Sequence, residues 1–357
     1  MPRIITVTSG KGGVGKTNIS VNLALDLAGM GLRTCLFDAD LGLANVNILL
    51  GIYPEYSLED LILKRKRIEE VLVRDDNGID IIPGSSGVEK MADLESGQIE
   101  FLIESFSKLN GYDFLIFDTS AGASRNVVSF CMSSPEIILV VTPEPTSLTD
   151  GYALLKILGF NGFNGSVMVL VNQCRDMETA RDVFVKFKKA VQKFLPVSIL
   201  PIGSVIQDDH VAEAVKRQKP FISLFPNADA SRCIKNVSRY LLKNGSKDME
   251  ELGLQSFWTK CFKSFSGPLQ LSGLKSEPEP EGSEFDQSRS LDDSGIGIQK
   301  GEPTDVQGND RDALSHEIRL ILKSLSVSMS SISKDITAIR KAIESEKQTS
   351  TPLIPIS

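Results

Sequence analysis

Residues 9–17 read Ser-Gly-Lys-Gly-Gly-Val-Gly-Lys-Thr, and this stretch is the most informative part of the sequence. It satisfies the phosphate-binding pattern G-x-x-x-x-G-K-[ST]. The fixed positions of that pattern are Gly10, Gly15, Lys16 and Thr17. An apolar, β-prone run (Ile4 to Val7) precedes the stretch and a helical run (Ile19 to Ala28) follows it. Because the motif works only between a strand and a helix, this context predicts a nucleotide-binding loop rather than a simple glycine turn.

The chemistry of such a loop follows from its residue types. Glycines let the backbone fold tightly around phosphate oxygens, so that several N–H groups and a helix N-terminus face the anion. Lys16 is predicted to reach the outer phosphates of ATP, and the Thr17 hydroxyl to complete the coordination of Mg²⁺. The predicted nucleotide-binding residues of the loop are Gly10, Lys11, Gly12, Gly13, Val14, Gly15, Lys16, Thr17 and Asn18.

Composition limits the class of protein. The chain has 357 residues and a net charge of −7, which argues against a strongly nucleic-acid-binding surface. Five cysteines form no C-x-x-C pair and only two histidines are present, so neither a disulfide framework nor a metal cluster is expected and a reducing cytosol fits. No secretory signal and no spanning run is recognised, so any membrane contact is expected to be peripheral, on the cytoplasmic face.

Apolar runs alternate with helical stretches along residues 1–245. Several runs are continuously apolar, as expected for strands buried on both faces. The alternation predicts an α/β fold, a doubly wound and mostly parallel sheet with helices on both sides. The predicted strands are Ile4–Thr8, Thr34–Asp38, Ile79–Pro83, Phe114–Asp118, Ile137–Thr142, Val167–Asn172 and Val197–Ile202. The predicted helices are Asn18–Ala28, Ile99–Leu109, Leu148–Leu158, Thr179–Lys193 and Ser231–Leu242.

The C-terminal part changes character. Residues 246–265 predict one amphipathic helix, and residues 266–311 an acidic, flexible linker rich in Pro, Gly and Ser. Residues 312–346 predict a helix and residues 347–357 a tail. An a/d seam of a short coiled coil, or a face for an unknown partner, is formed by Ile318, Leu322, Leu325, Met329, Ile332, Ile336, Ile339 and Ile343.

Two predicted strands end in carboxylates. Asp38 and Asp40 share one face of a strand end, over the crevice where ligands bind in open α/β sheets. A solvated strand end is the alternative. Asp118 ends another apolar strand, as in a Walker B element, where the carboxylate holds the water shell of the metal. Thr17, Asp38 and Asp118 are therefore the predicted Mg²⁺ residues.

The extra lysine narrows the class. K-G-G-x-G-K-[ST] at residues 11–17 resembles the deviant loop of the MinD/ParA family of SIMIBI-class P-loop ATPases. That resemblance implies an ATP-dependent homodimer in which Lys11 reaches the nucleotide of the partner subunit and Lys16 acts in cis. It further implies that Asp40 orients the attacking water. The catalytic residues are then Lys11, Lys16 and Asp40.

Further positions match this family. D-x-x-[AP]-G places Gly122 where a backbone amide swings toward the terminal phosphate. Asn172 matches an asparagine that recognises adenine, although a strand-end Asn that caps a loop is the alternative. Asp208 lies where the loop on the adenine side often has an aspartate, with Ile206 at a place usually held by proline.

Four strings, at residues 15–24, 38–46, 142–150 and 225–232, resemble the FlhG branch of that family, also called FleN or YlxH. The branch implies control of flagellar number and placement, with an FlhF-like GTPase or a flagellar regulator as partner. A ParA-like nucleoid-partitioning ATPase and a MinD-like septum-site regulator are the alternatives. An Mrp-like iron–sulfur carrier needs paired cysteines, which the chain lacks, and Asp40 and Asp118 argue against a scaffold without turnover.

The helix in residues 246–265 carries one apolar stripe with i, i+3, i+4, i+7 spacing. Its members are Leu254, Phe257, Trp258, Cys261, Phe262 and Phe265. With lysines on the other face, the stripe predicts an interfacial helix on an anionic membrane, as in other members of the family. The predicted membrane-binding residues are Leu254, Phe257, Trp258, Phe262 and Phe265. The alternative is a helix docked on its own domain. Both states are also compatible in turn, docked with ADP and released with ATP.

Overall fold

The computed structural model describes residues 1–40, 45–75, 78–84, 94–244 and 253–267. All of these residues belong to one compact unit, Met1–Glu279. The linker predicted at 266–311 lies outside the described residues except for its first two positions. The helix predicted at 312–346, with its seam, and the tail at 347–357 lie outside them entirely, so these interpretations stay predictions.

The core of the fold is an eight-stranded sheet with the order β3-β4-β2-β5-β1-β6-β7-β8. Its strands are β1 Arg3–Ser9, β2 Thr34–Ala39, β3 Val73–Arg74, β4 Asp80–Ile82, β5 Phe114–Ala121, β6 Glu136–Val141, β7 Ser166–Cys174 and β8 Ile199–Ile206. Every neighbouring pair is parallel except β3 and β4. The predicted doubly wound, mostly parallel sheet is therefore confirmed.

Beyond small shifts in strand bounds, the sheet differs from the sequence prediction at its two edges. Strand β3 was not predicted, because two residues paired antiparallel to β4 are too short to show a period. Strand β8 begins at Ile199 and continues to Ile206, whereas the prediction began at Val197. As an edge strand, β8 mixes buried and exposed residues, so its apolar pattern is broken.

Helices cover both faces of the sheet. They are α1 Lys16–Gly29, α2 Asn45–Leu50, α3 Leu58–Ile62, α4 Ile68–Val71, α5 Ser96–Ser107, α6 Arg125–Ser133, α7 Pro145–Phe160, α8 Met177–Phe194, α9 Asp209–Lys216, α10 Phe221–Leu224, α11 Asp229–Lys243 and α12 Leu254–Ser266. One apolar cluster joins α1, α10 and α11 to the sheet. On the opposite face, a second cluster contains α5 and α12, and a third contains α6, α7 and α8. The carboxyl ends of the central strands therefore meet the N-termini of α1 and α7 at one edge.

Helix α12 is docked on the domain. The apolar stripe, including the five predicted membrane-binding residues, is buried in one cluster with α5, β2 and β5. Trp258 stacks on Phe106, with 4.0 Å between the ring centroids. The structure therefore holds the docked arrangement, and in this conformation the stripe does not face a membrane, because the aromatic rings of the domain already cover it. Among the described helices, none is both long and apolar enough to cross a bilayer.

Candidate nucleotide-binding site

The loop between β1 and α1 is built to hold an anion. Gly15 precedes α1 with φ of 89°, in the left-handed region that favours glycine. No side chain of the described residues caps this helix end, so its first N–H groups stay available for a ligand. The backbone of α7 lies against Gly10, and a Cβ atom there would lie 2.0 Å from the carbonyl carbon of Asp150. The loop thus requires glycine for its curvature and for its packing.

Lys16 lies buried at the start of α1. Burial lowers the pKa of its ammonium, while the carboxylates of Asp118 and Asp40 act in the opposite direction. Burial of a charge is costly, and the nearby carboxylates of Asp118 and Asp40 offset part of this cost for the Lys16 ammonium. The side chain is thus partly desolvated and available for an anionic ligand.

Asp38 and Asp118 lie side by side at the ends of β2 and β5, where their Cα atoms are register partners. The Asp118 Oδ1 atom accepts a hydrogen bond from Ser20 at 2.8 Å, and the Thr17 hydroxyl also donates to this carboxylate. Burial raises the pKa of Asp118 to about 6. Burial, followed by the charge of Asp118, raises the pKa of Asp38 well above its usual range.

One oxygen of each carboxylate, Oδ2, is buried and has no hydrogen-bond partner among the described residues. Two such oxygens beside the hydroxyl of Thr17 form the hard oxygen donor set that Mg²⁺ prefers. Within the described part of the chain, no group of three His, Cys, Asp or Glu side chains forms a metal site by itself. The residues therefore fit a Mg²⁺ ion that arrives with a nucleotide and keeps part of its water shell.

Asp40 lies just beyond β2. Its backbone N–H donates to the Asp38 Oδ1 atom at 3.1 Å, and its Oδ2 atom accepts from the Asn45 amide at 3.0 Å. Gly84, two residues beyond β4, packs on this turn so closely that a Cβ atom would lie 2.6 Å from the Asp38 carbonyl oxygen. The turn that carries Asp40 is therefore held from two sides, and neither Asn45 nor Gly84 was predicted as a site residue.

Lys11 points to the rim of the site. Its ammonium donates to the Glu144 carboxylate and, at 2.9 Å, to the Thr146 hydroxyl at the start of α7. The Lys11 side chain is 37% exposed and that of Glu144 60% exposed. The contacts with Glu144 and Thr146 therefore hold the Lys11 ammonium against its own chain, at an exposed position.

A cleft of about 560 Å³ continues from the loop toward β8 and α9. It is lined by Gly15, Asn18, Thr142, Pro143, Glu144, Asn172, Gln173, Val205, Ile206, Gln207, Asp208, Asp209, Val211 and Ala212. The predicted adenine-side residues Asn172 and Asp208 therefore line one cavity together with the phosphate loop. The cleft is large enough for a nucleoside, because ligand pockets usually begin at about 300 Å³.

The hydrogen bonds of Asn172 and Asp208 are structural. The Asn172 Nδ2 atom donates to the Val14 carbonyl at 2.8 Å, as the loop-capping alternative requires. Both Asp208 oxygens accept backbone N–H groups, from His210 at 3.0 Å and from Ala230 at 3.1 Å. Burial raises the pKa of Asp208, but these hydrogen bonds outweigh it and lower the pKa overall. Both side chains shape the cleft, and a contact with adenine stays a prediction.

Gly122 connects the β5 end to the phosphate loop. It has φ of 93°, and its N–H donates to the Ser9 carbonyl at 2.9 Å. This amide is therefore bound to the strand that leads into the loop, next to the aspartates. The structure brings all predicted phosphate and metal residues to one edge of the sheet.

Comparison with known proteins fits this geometry. A family model described as an AAA domain matches residues 2–160. The antiactivator FleN of Pseudomonas aeruginosa is 42% identical over 238 residues, which are 66% of this chain and 85% of FleN. The chain belongs to the MinD/ParA family of P-loop ATPases.

A second relative and a solved structure also resemble this chain. The flagellum site-determining protein YlxH of Helicobacter pylori is 28% identical over 266 residues, covering 73% of this chain and 90% of YlxH. The structure of the septum site-determining protein MinD from Pyrococcus horikoshii, a complex with Mg-ADP, superposes with a TM-score of 0.55. At 24% identity it covers 70% of this chain and all of that one, and it shows the shared fold. The predicted resemblance to FlhG, FleN and YlxH is thereby confirmed.

For this MinD/ParA protein, the raised pKa of Asp118 predicts how stability depends on pH. An aspartate titrates near pH 4 when unfolded, so the folded state binds more protons between pH 4 and about 6. The free energy of unfolding therefore falls as the pH rises through this window, by roughly 3 kcal/mol from this group alone. In Asp118→Asn the group no longer titrates, so the stability advantage of the unsubstituted protein over the variant should shrink from pH 4 to pH 6.

Urea unfolding at several pH values measures this difference. Asp182→Asn, which alters an exposed carboxylate on α8, is the control and should run parallel to the unsubstituted protein. A difference between the unsubstituted protein and Asp118→Asn that grows with pH would contradict the assignment.

Proposed function

We propose that this protein is a Mg²⁺-dependent ATP hydrolase whose ATP-bound form dimerises, associates with the cytoplasmic face of the membrane and regulates the number or placement of flagella. One observation carries the proposal. Buried Lys16 begins α1, whose start is uncapped, and it is attracted by Asp118. Asp118 pairs in register with Asp38, and each of these two carboxylates has one oxygen without a hydrogen-bond partner among the described residues. This combination suits a nucleotide triphosphate with its metal ion.

The chemistry is positioning and electrostatics. Mg²⁺, when bound, would supply charge neutralisation on the outer phosphates, held by Thr17 and, through water, by Asp118 and Asp38. The loop amides and Lys16 bind and orient the phosphates. Asp40, fixed by Asn45 and by its own N–H to Asp38, holds and orients the attacking water. No covalent nucleophile of the chain is required.

Dimerisation depends on Lys11. The exposed ion pair with Glu144 contributes only about 0–1 kcal/mol, so Lys11 leaves it easily for a stronger partner. A phosphate oxygen of a nucleotide on a facing subunit is such a partner. In this proposal Glu144 and Thr146 hold Lys11 until two ATP-bound subunits meet.

Membrane association would use α12. The docked helix leaves the indole N–H of Trp258 buried, with no acceptor among the described residues. An unsatisfied buried donor costs about 1–3 kcal/mol, which reduces the net stability of docking. Once released, the stripe of α12 presents Trp258 and three phenylalanines to lipid, with Lys260 and Lys263 on the opposite face. Two released helices on one dimer would bind anionic membrane far better than one.

The biological role rests on the FleN and YlxH relatives, whose names describe an antiactivator and a determinant of flagellum site. They favour flagellar control over septum-site regulation or nucleoid partitioning. An FlhF-like GTPase or another flagellar regulator is the partner proposed with this role. The net charge of −7 also argues against DNA as the partner.

The dimer is tested with Lys11→Ala. Sedimentation with Mg²⁺ and a non-hydrolysable ATP analogue should show a dimer for the unsubstituted protein and a monomer for the variant, because the contact across the dimer is lost. Calorimetry should still detect binding of the analogue to the variant monomer. Lys186→Ala, which alters an exposed lysine on α8, should dimerise normally.

Flotation with vesicles of anionic phospholipid completes this experiment. The unsubstituted protein should float with the ATP analogue and stay in solution with ADP. If Lys11→Ala sediments as the unsubstituted protein does, Lys11 does not act across a dimer. If neither nucleotide changes flotation, the proposed membrane association is wrong.

A further inference from the structure

Arg125 joins the nucleotide site to α12. It is the first residue of α6, and its Nη1 atom donates to two carbonyl oxygens at the C-terminal end of α12, those of Phe265 at 3.1 Å and Gly267 at 2.6 Å. The last carbonyls of a helix lack partners within the helix, and a cation is favoured there by the helix dipole. The guanidinium of Arg125 thus acts as a C-terminal cap provided by another part of the chain.

The position of this cap in the sequence links it to the phosphates. Arg125 follows the β5 end by four residues and Gly122 by three. Gly122 is hydrogen-bonded to Ser9, at the start of the phosphate loop. Ser124 between them caps α6, with its hydroxyl accepting from the Val127 N–H at 3.4 Å. A shift of the Gly122 segment toward a terminal phosphate would therefore move the first turn of α6 and the Arg125 guanidinium.

Packing beneath the site reinforces this link. Phe37 and Phe117 directly precede the metal aspartates Asp38 and Asp118 on β2 and β5. Both rings contact Trp258, with centroids 5.5 Å and 5.6 Å away. At the ends of β2 and β5, the aspartates thus form one side of the sheet at the proposed metal site, and the preceding phenylalanines pack against α12 on the other side. Movement at these ends reaches α12 through packed rings as well as through Arg125.

We infer that Arg125 is the latch of α12. It holds the helix docked while the terminal-phosphate position is empty, and it withdraws when the Gly122–Ser124 segment moves onto a bound triphosphate. The inference rests on the proposed nucleotide-dependent release and names the side chain that transmits it. Hydrogen bonds from a charged group are about twice as strong as those between neutral groups. Removal of the two bonds from Arg125 to α12 should therefore shift the docking equilibrium measurably.

Hydrogen exchange of the α12 amides tests the latch in the full-length protein. Without nucleotide, Arg125→Ala should exchange these amides about tenfold or more faster than the unsubstituted protein, as expected for the loss of a charged hydrogen bond. Mg²⁺ with a non-hydrolysable ATP analogue should accelerate exchange in the unsubstituted protein but add little in Arg125→Ala, because the latch is already open. Arg125→Lys should lie between the two.

Two controls separate a latch from a general loss of packing. Lys263→Ala removes a cation from the same last turn of α12 without touching α6, and it should keep the full response to the nucleotide analogue. Trp258 is the only tryptophan of the chain, so acrylamide quenching of its fluorescence reports the same equilibrium independently. Calorimetry should show that Arg125→Ala binds the analogue at least as tightly as the unsubstituted protein.

The outcomes distinguish the latch from the function on which it rests. If the analogue exposes α12 in the unsubstituted protein and Arg125→Ala behaves identically, the latch is wrong and nucleotide-dependent release stands. If Arg125→Ala exposes α12 but the analogue adds its full effect on top, Arg125 is only a cap and the latch is again wrong. If calorimetry detects binding and α12 never responds, the release itself is wrong, and the latch with it.

Discussion

Lys16→Ala should bind Mg-ATP roughly 30- to 5,000-fold more weakly than the unsubstituted protein, since truncation of one partner in a buried charge pair costs about 2–5 kcal/mol. The ammonium of Lys16 is buried at the foot of the phosphate loop, where water cannot replace it. Its loss leaves a phosphate beside Asp38 and Asp118 without the nearest compensating charge. Isothermal titration calorimetry at pH 7 measures the change.

A fair test of Lys16→Ala requires a folded variant. Removal of the cation also withdraws the attraction that opposes the burial of Asp118, so the pKa of that carboxyl should rise further. The thermal transition of the variant must therefore be recorded alongside calorimetry. Lys189→Ala, which alters an exposed lysine of α8, should bind like the unsubstituted protein. Unchanged ATP affinity in folded Lys16→Ala would overturn the assignment of the loop and the proposed function with it.

Much of the site was predictable because its signals are local in sequence. The phosphate loop needs glycines and lysines at fixed spacing between a strand and a helix, and both neighbours appear as short periodic runs. Asp38 and Asp118 end apolar strands, and parallel strands bring their carboxyl ends to one edge. The meeting of these carboxylates at one edge therefore followed from parallel strand direction and residue type.

The contacts that fix the site are non-local and were not predicted. Gly84 touches the Asp38 backbone only because β4 pairs with β2, and Asp150 touches Gly10 only because α7 returns over the loop. Asp208 was predicted to lie on the adenine side from family resemblance, which stays a prediction. The hydrogen bonds that its oxygens accept at two helix starts were not predicted. These contacts join residues far apart in the chain, and periodicity within one segment carries no signal for them.

The apolar stripe of α12 shows a different limit of prediction. A stripe with i, i+3, i+4 spacing fits a membrane surface and a protein core equally well, since both present apolar atoms. The amphipathic pattern predicted the helix and its buried face. What covers that face depends on the rings of Phe37, Phe106 and Phe117, which come from three other elements.

Trp258→Ala should weaken the docking of α12 by about 3–5 kcal/mol, the usual loss when a buried Trp or Phe is truncated. Trp258 is fully buried and packs against rings from β2, β5, α5 and α6, so its removal leaves a large cavity. Hydrogen exchange should show rapid exchange of the α12 amides while the central strands stay protected. Trp258→Phe keeps most of the ring volume and should lose much less. If the α12 amides of Trp258→Ala exchanged within threefold of the rate in the unsubstituted protein, Trp258 would not be the residue that anchors the helix.

The same substitution separates docking from membrane binding. Trp258→Ala exposes α12 without nucleotide, yet it removes the side chain best suited to the lipid interface, so flotation with anionic vesicles should fall although the helix is free. Lys260→Glu alters an exposed position, so it should weaken flotation through charge alone and leave α12 docked. If Trp258→Ala raised flotation to the level of the ATP-bound protein, exposure alone would govern binding and Trp258 would be an anchor for the core only.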